Sequence, residues 1–240
     1  MDADVFVRMA KVEQHHWWFC ARREILADQI KQLALPPEAR LLEVGCGTGG
    51  NLSMLSRFGR VVAIEPDKAA RLYAHQHSGQ DILEGFLPHQ LPSAAYDSDL
   101  AVALDVIEHV EDDRAAVAAI SQCLKPGGRF LATVPAYQWM WSGHDLAHHH
   151  KRRYERQAFT QLFLEAGLTV RKSTYFNSLL FPPIALARVL GWAVDGEALP
   201  SAPLNRLLKS LFGAERLWLR RRSLPFGVSI LVIAERPLAT

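Results

Sequence analysis

The feature that most constrains this chain is a short apolar run that leads into a loop of alternating glycines. Leu41–Val44 has the composition of a buried strand, and a helical segment follows the loop. The glycines stand at every second position, at Gly45, Gly47 and Gly49. Glycine lets a backbone turn tightly and approach a ligand where a Cβ would collide. Because the first N–H groups of a helix also attract ligands, the pattern predicts a strand, a binding turn and a helix.

Two classes of cofactor fit this glycine spacing. Gly45, Gly47 and Gly50 match the G-x-G-x-x-G fingerprint of dinucleotide-binding folds. Glu65 lies about twenty residues further on, as that fingerprint requires. Glu43, however, precedes the first glycine, and a carboxylate there attracts a cationic amine and repels a diphosphate. The residues therefore favour S-adenosylmethionine over NAD, and an NAD-dependent oxidoreductase is the alternative.

Strands and helices alternate from residue 40 onward. Apolar runs predict strands at Leu41–Val44, Val61–Glu65, Asp81–Glu84, Leu100–Leu104, Arg129–Val134, Leu168–Thr174 and Val228–Glu235. Helices are predicted at Asn51–Arg57, Asp67–His77, around Val117–Leu124 and at Glu155–Ala166, with a turn at Lys125–Gly128. This alternation indicates an α/β fold with a mostly parallel sheet flanked by helices.

The chain divides into an N-terminal helical cap, residues 1–36, and a main domain, residues 37–240. The main domain contains a helical insertion at about 177–227, with two helical patterns separated by Gly196–Pro203. Ligands of such sheets bind beyond the carboxyl ends of the strands. The glycine turn, Glu65 and Asp105 all stand at such ends, so we expect them to converge on one crevice.

Composition and termini predict a cytoplasmic protein. The net charge of +2 is too small to indicate nucleic acid, and no nucleic-acid partner is predicted. The three cysteines are odd in number and scattered, which favours a reducing compartment over a disulfide framework. Met1–Asp4 is acidic, without the apolar region of a signal peptide. The longest apolar stretch, Ser178–Val194, is interrupted and falls short of the roughly 20 residues of a spanning helix.

Four motifs, in order, make the chain resemble the class I S-adenosylmethionine-dependent methyltransferases. They are Glu43–Gly49, Ile64–Pro66, Leu104–Val110 and Leu124–Gly128. The last two are typical of the branch with the ubiquinone-biosynthesis O-methyltransferases and bacterial small-metabolite methyltransferases. The resemblance implies a Rossmann-like, seven-stranded, mostly parallel sheet and S-adenosyl-L-methionine as the methyl donor.

The resemblance also implies a cofactor site at the strand ends. The predicted residues are Glu43, Gly45, Cys46, Gly47, Gly49, Asn51, Glu65, Pro66, Gly85, Phe86, Leu104, Asp105 and Val106. Glu43 would hold the methionine amine, a charge-assisted hydrogen bond worth about 1.5–3 kcal/mol. Glu65 would accept both ribose hydroxyls or, alternatively, is a solvated charge. Phe86 stands where many relatives have an acid, and its ring could stack on the adenine.

The predicted catalytic residues are His109, His144 and Asp145. Methyl transfer from a sulfonium needs mainly alignment and exclusion of water. A hydroxyl acceptor also needs a base, and histidine, with a pKa near 6.5, is suited to that role. His109 is the candidate by position, with structural packing against the cofactor as its alternative.

A second polar cluster, His144–His150, is either an acceptor loop or a site for a divalent ion. Its spacing matches no closed structural site, so no metal is predicted. Glu108 either braces the turn before it or, as in some relatives, acts with a metal. Arg152 and Arg153 either clamp an anionic acceptor or form a solvated basic face.

The N-terminal aromatics and the insertion are the least determined segments. Trp17–Phe19 either lids the cofactor or staples a helix to the sheet, and Arg22 or Arg23 could reach the methionine carboxylate. In the insertion, an apolar face is predicted at Leu204, Leu207, Leu208, Leu211 and Trp218, beside the apolar stretch Leu179–Trp192.

Basic residues lie elsewhere on this helix, at Arg206, Lys209, Arg216, Arg220, Arg221 and Arg222. A basic amphipathic helix of this kind could rest on the inner face of an anionic membrane, or it could cover the core or form a homodimer interface. The predicted function is methyl transfer, most readily at oxygen, to a small-molecule or lipid-linked acceptor. A non-catalytic cofactor-binding scaffold is the remaining alternative.

Overall fold

The computed structural model describes residues 10–191 and 198–238. The strands are β1 Arg40–Val44, β2 Arg60–Ile64, β3 Ile82–Leu83, β4 Ser98–Leu104, β5 Leu124–Pro135, β6 Thr169–Phe176 and β7 Ser229–Glu235. The helices are α1 Trp17–Lys31, α2 Leu52–Leu55, α3 Lys68–Ser78, α4 Asp113–Gln122, α5 Gly143–Ala147, α6 Arg156–Glu165, α7 Phe181–Val189 and α8 Ala202–Leu219. Predictions that involve residues 1–9 of the cap, Trp192 or Gly196 lie outside the described residues.

The described strands form a seven-stranded sheet in the order β3-β2-β1-β4-β5-β7-β6. β7 runs antiparallel to both of its neighbours, and the other strands are parallel. The predicted fold class, a mostly parallel Rossmann-like sheet flanked by helices, is confirmed. β1 lies near the middle, between β2 and β4, so the loop that follows it opens at the switch point where ligands of such sheets bind.

Alternate residues of the central strands supply two separate cores. Leu42 and Ala101 belong to the cluster on one face, together with Phe163 of α6. Leu41 belongs to the cluster on the other face, together with Ile25 of α1 and Phe212 of α8. Because strand side chains alternate between faces, these apolar runs are buried on both sides, as parallel strands require.

Two local predictions differ from the structure. The predicted turn Lys125–Gly128 lies within β5, whose pairing with β4 shifts register between Ser98 and Leu100. Gly127 there has φ +81°, a conformation that suits a bulge rather than a chain reversal. The predicted helix Asn51–Arg57 is correct in place but is only the single turn α2.

The insertion between β6 and β7 covers the core together with the N-terminal segment. α8 packs along α1, and Lys209 and Arg216 pair with Glu24 at 2.9 Å while Arg220 pairs with Asp28 at 2.6 Å. These contacts agree with the core-covering alternative for the insertion. None of the helices in the described ranges has the length and hydropathy needed to cross a bilayer.

Candidate active site

A cavity of about 740 Å³ lies beyond the carboxyl ends of the central strands. The predicted residues that line it are Gly45, Cys46, Gly47, Asn51, Glu65, Pro66, Gly85, Phe86, Leu104, Asp105, Val106, His109 and His144. Three other predicted site residues, Glu43, Gly49 and Asp145, do not line the cavity and lie behind the residues that do. The fold therefore brings the glycine loop and the histidine-rich segment, far apart in sequence, to one space.

The glycine loop is held against β2 by its own backbone. Gly45 and Cys46 both donate their N–H groups to the Ile64 carbonyl, at 2.8 and 3.0 Å. Gly45 has φ +69°, and a Cβ on it would lie 2.7 Å from Val106 Cγ2. At Gly47, with φ +55°, a Cβ would meet no described atom within 4 Å, so this glycine opens directly onto the cavity. Gly45 is thus required by packing, and Gly47 leaves room for a ligand.

Glu43 is a fully buried carboxylate next to this loop. Asn51 Nδ2 donates to its Oε1 at 3.2 Å. Its Oε2 has no hydrogen-bond partner among the described residues. Burial raises the pKa of Glu43 to about 8. An orphaned, buried carboxylate beside cavity residues Gly45 and Asn51 is suited to a ligand that carries an ammonium group.

Glu65 accepts two backbone N–H groups near the glycine loop. Its Oε2 accepts the Gly47 N–H at 2.8 Å, and its Oε1 accepts the Asp67 N–H at 3.0 Å. It therefore braces the glycine loop, a role that the sequence does not reveal. Each carboxylate oxygen keeps a second lone pair for a ligand hydroxyl. Burial raises the pKa of Glu65 above its usual range.

Sequence reasoning missed Glu13 and Thr48. Thr48 donates its hydroxyl to Glu13 Oε2 at 2.8 Å, and both residues line the cavity. A Cβ at Gly50 would lie 2.3 Å from the same Glu13 oxygen, so a larger residue there would displace the Glu13 carboxylate. Burial raises the pKa of Glu13. No local pattern links two residues separated by 35 positions.

Arg22 of α1 reaches the ends of β4 and β5. Its Nη2 lies 2.8 Å from Asp105 Oδ2 and donates to Thr133 Oγ1 at 2.8 Å. Thr133 in turn donates to Asp105 Oδ1 at 2.9 Å. The guanidinium also lies 5.0 Å from the centre of the Trp18 ring. Trp18 and Arg22 line the cavity as well, so α1 both packs against the ends of the sheet strands and forms part of the cavity lining.

A second part of the cavity lining is rich in histidine. His109, His144, His148 and His150 all line it. Burial lowers the pKa of His109 to about 4, and burial likewise lowers the pKa of His144 to about 3. Both imidazoles are therefore neutral at physiological pH. Each is able to accept a proton, although weakly.

Glu108 lies beside these histidines and is completely buried. Burial raises the pKa of Glu108 well above its usual range. Neither of its carboxylate oxygens has a hydrogen-bond partner within the described part of the chain. The predicted alternative in which Glu108 braces its turn through its side chain therefore has no hydrogen bond to support it.

Asp145 is committed to an ion pair. Arg153 donates Nε to Oδ1 at 2.7 Å and Nη2 to Oδ2 at 3.0 Å, and His150 Nδ1 lies 2.8 Å from Oδ1. Burial alone would raise the pKa of Asp145, but the hydrogen bonds from His150 and Arg153 hold it well below its usual range. The buried Asp145 carboxylate therefore fixes the orientation of the His150 and Arg153 side chains. Arg152 pairs instead with Asp113 at 3.0 Å.

Comparisons with known proteins agree with this architecture. A family model described as a methyltransferase domain matches residues 18–173, more than half of the chain. A probable S-adenosylmethionine-dependent methyltransferase of Mycolicibacterium smegmatis is 28% identical over 161 residues, which are 65% of this chain and 61% of that protein.

A ubiquinone biosynthesis O-methyltransferase of Xanthomonas axonopodis pv. citri is 35% identical over 148 residues, 55% of this chain and 60% of that protein. The chain thus spans about three fifths of the length of these relatives. Among solved structures, a chain from the complex of the Haloferax volcanii Trm112 methyltransferase activator with a methyltransferase superimposes with a TM-score of 0.62. That chain is 18% identical, and the match covers 99% of this chain and 96% of the other.

Proposed function

The chain belongs to the family of methyltransferase-domain proteins, and from this membership we propose that it methylates a hydroxyl oxygen of a small or lipid-linked acceptor, with S-adenosylmethionine as donor. The observation that carries the proposal is the shared cavity. Its one side offers a glycine loop with carboxylates, and its other side offers neutral histidines. Donor and acceptor chemistry can therefore meet in a space closed by α1.

The donor side fits each part of the cofactor. S-adenosylmethionine supplies an activated methyl group on a sulfonium. Glu43, behind the lining, attracts the methionine ammonium, and Arg22 and Arg23, which line the cavity, are the candidates to bind its carboxylate. Glu65 accepts the ribose hydroxyls with its remaining lone pairs, and the half-exposed Phe86 ring stacks on the adenine.

The acceptor side favours oxygen. His109 and His144 are uncharged, so either can take the proton that a hydroxyl loses during methylation. Asp145 is held away from the lining and orients His150 and Arg153 rather than exchanging protons itself. The O-methylation in the name of the Xanthomonas relative supports the same choice of atom.

The insertion supports a lipid-linked acceptor. Exposed apolar side chains of this segment include Leu179, Leu186, Val189, Leu190, Leu199, Leu204, Leu207, Leu211, Leu217, Trp218 and Phe226. Ile184 and Arg188 of α7 line the cavity, so the segment that bears these side chains also reaches the site. Exposed leucines with nearby arginines suit the surface of an anionic membrane. A homodimer that covers these leucines is the alternative.

A turnover assay tests the reaction. The purified protein is incubated with S-adenosylmethionine and a set of phenols and catechols, each with or without a prenyl tail, and products are identified by mass spectrometry. We expect methyl ethers and S-adenosylhomocysteine in equal amounts, with faster turnover of the tailed acceptors. Binding titrations with NAD and with S-adenosylhomocysteine distinguish a methyltransferase from the NAD-dependent oxidoreductase alternative. We expect S-adenosylhomocysteine to bind and NAD not to bind.

Flotation with anionic vesicles tests whether the exposed leucines of the insertion bind a membrane surface. We expect the protein to float, and Leu204→Ser/Leu207→Ser to abolish flotation. Leu72→Ser/Leu164→Ser is the matched control, since those leucines are equally exposed on α3 and α6. If the wild-type protein does not float and sediments as a dimer in analytical ultracentrifugation, the exposed leucines form a homodimer interface and the membrane interpretation is wrong.

A further inference from the structure

We infer that Arg188 and Asn177, which the insertion contributes to the cavity lining, form a subsite for a carboxylate group on the methyl acceptor. The inference deepens the proposed function, because it names the chemical class of the acceptor. It rests on that function only for the methylation of the bound molecule, since an anion can bind there without turnover. Arg152 and Arg153 are the arginines that the sequence suggested for an anionic acceptor, but both pair with aspartates.

Asn177 supplies a polar group that the described protein leaves unsatisfied. Its side chain is 1% exposed and lines the cavity. Neither its amide nitrogen nor its amide oxygen has a hydrogen-bond partner among residues 10–191 and 198–238. Buried amides are ordinarily satisfied by protein, water or a ligand, because an unpaired polar group is costly to bury. Since this amide belongs to the lining of a cavity, a ligand oxygen can accept a hydrogen bond from it.

The backbone around Asn177 is fixed before any ligand binds. Asn177 directly follows β6 and has φ +58°, a conformation that asparagine adopts more readily than most residues. Glu215 of α8 accepts the N–H groups of Ser178 and Leu179, at 2.6 and 2.8 Å. The Val228 N–H donates to the Asn177 carbonyl at 3.4 Å. Contacts from two other segments therefore hold the backbone of the residue whose amide lines the cavity.

Arg188 supplies a positive charge from α7, the helix that follows Asn177. It lies four residues after Ile184, one helical turn further on, and both side chains line the cavity. The structure shows no hydrogen bond or ion pair from a described residue to its guanidinium. Burial, and after it the nearby charge of Arg153, lowers the pKa of Arg188 from its usual range. A partly buried cation without such a partner favours an anionic ligand, which compensates for the lost hydration.

The charged groups near Arg188 do not neutralise it. Asp145 is the carboxylate whose charge acts on Arg188, but Arg153 and His150 already bind both of its oxygens. Burial raises the pKa of Glu108, which favours the uncharged form of that carboxyl group. Two guanidinium groups thus lie near one ionised carboxylate, and a bound anion would balance the excess positive charge.

The donor set suits a carboxylate. A guanidinium presents two parallel N–H groups that match the two oxygens of a planar carboxylate. The Asn177 amide nitrogen can donate a further hydrogen bond to such an oxygen. A phosphate with two charges would need a second cation, and Arg153 is committed to Asp145. His109 and His144 line the same cavity, so an acceptor with both a carboxylate and a hydroxyl can present its hydroxyl to them.

Turnover of a matched pair of acceptors tests the subsite. Protocatechuic acid and its carboxamide present the same hydroxyls, and only the acid is charged. We expect the wild type to methylate the acid with a kcat/KM at least about 10-fold higher, because charge-assisted hydrogen bonds hold it. Arg188→Met should remove this preference by lowering kcat/KM for the acid alone. Asn177→Gly, which tolerates the positive φ, should lower it by roughly 3- to 10-fold.

Arg60→Met is the matched control, because Arg60 is exposed at the start of β2, at the strand end opposite the cavity. It should keep the wild-type preference. Calorimetry with benzoate, benzamide and phenyl phosphate, added to the S-adenosylhomocysteine complex, measures binding without turnover. Benzoate should bind most tightly, and Arg188→Met should remove its advantage. Affinity for S-adenosylhomocysteine and the unfolding temperature should stay unchanged and show that the variant is folded.

The inference is wrong if the folded wild type binds benzoate no better than benzamide, or if Arg188→Met keeps the preference for the acid. Tighter binding of phenyl phosphate than of benzoate would overturn the choice of a carboxylate. A lower affinity for S-adenosylhomocysteine in folded Arg188→Met would assign the guanidinium to the donor instead. Benzoate binding that depends on Arg188, without turnover of either catechol, would count against the proposed methylation and leave the subsite standing.

Discussion

The two halves of the cavity are built in different ways. The half proposed to bind the donor, called the donor half, is the glycine loop with Glu65, and it is built mainly by backbone. It has three glycines with positive φ and N–H groups that donate to Ile64 and Glu65. The half proposed to bind the acceptor, called the acceptor half, is lined by histidine side chains, and a buried Asp145–Arg153 pair orients His150. A backbone site tolerates almost no change of shape, whereas a side-chain site can change its specificity through single substitutions. The difference would allow the acceptor half to change while the donor half stays the same.

The largest effect is expected where the donor half is most tightly packed. Gly45→Val adds a Cβ 2.7 Å from Val106 Cγ2 at a φ of +69°, so both the loop and its neighbour must move. We expect affinity for S-adenosylhomocysteine to fall by more than about 100-fold, or about 2.7 kcal/mol. Titration calorimetry measures this.

Gly167→Ala is the control, because its φ is +78° but its Cβ would meet no described atom within 4 Å. It should cost about 1 kcal/mol of stability through backbone strain and leave cofactor affinity unchanged. Wild-type affinity in Gly45→Val would show that the donor half is less rigid than its backbone suggests.

The second effect concerns the contact that joins α1 to the strand ends. Arg22→Met removes the ion-pair partner of Asp105 and a hydrogen-bond donor to Thr133. Because the Arg22 side chain is almost fully buried, water cannot replace these contacts. Asp105 keeps some exposure, so we expect a loss of about 2–3 kcal/mol in the free energy of unfolding, below the full cost of breaking a buried pair. Urea denaturation measures it.

Arg114→Met is the matched control, because the Arg114–Glu165 pair is largely exposed. It should cost less than about 1 kcal/mol. A double-mutant cycle of Arg22→Met with Asp105→Asn then isolates the pair, and a coupling energy near zero would contradict the structural role given to Arg22.

The same division explains what could be predicted from the sequence. The glycine loop, Glu65 and Asp105 were placed correctly because a backbone turn at a strand end depends on residues adjacent in the chain. The Arg22–Thr133 contact joins residues 111 positions apart, and no local signal announces it. The register shift in β5 likewise depends on β4, which the sequence of β5 alone does not show.

α8 is a further example. Its leucine pattern predicted an apolar face for a membrane surface, the core or a homodimer interface. In the structure Leu204, Leu207 and Leu211 of that face are exposed, while Phe212 and Leu219, outside it, are buried. The physical reason lies in the partner helix, since Phe212 and Leu219 pack into the same core cluster as Ile25 of α1. The half-exposed basic residues of α8 flank this contact and pair with Glu24 and Asp28 of α1. Amphipathic pattern shows that a helix has two faces, and only the neighbour decides which of them is covered.

The third effect is a pH dependence that belongs to the donor half. In the free protein, burial raises the pKa of Glu43 to about 8, so the carboxyl is mostly protonated at pH 6–7. A ligand ammonium favours the ionised form, so binding releases a proton, and affinity should rise by up to about tenfold between pH 6 and pH 7. Calorimetry in buffers of different ionisation enthalpy measures both quantities.

Glu43→Gln should bind S-adenosylhomocysteine more weakly at pH 7 and with little pH dependence in that interval. Asn51 should still donate to the amide oxygen, which keeps the loop in place. If the variant retained the wild-type slope, the proton would come from another group, and Glu13 or Glu65 would be examined in the same way.

The smallest effect tests whether the two halves are independent. Phe86 is 42% exposed and lines the donor half, and Trp139 is 52% exposed in the segment that leads to the histidines. Loss of a stacked ring costs about 0.5–1.5 kcal/mol, so Phe86→Ala should weaken S-adenosylhomocysteine binding by roughly 2- to 13-fold. Trp139→Ala should leave that affinity unchanged, since its ring packs against Tyr137 and Phe181 instead. Equal losses in both variants would mean that the donor half responds to changes across the cavity, and the division drawn between a rigid backbone site and a variable side-chain site would not hold.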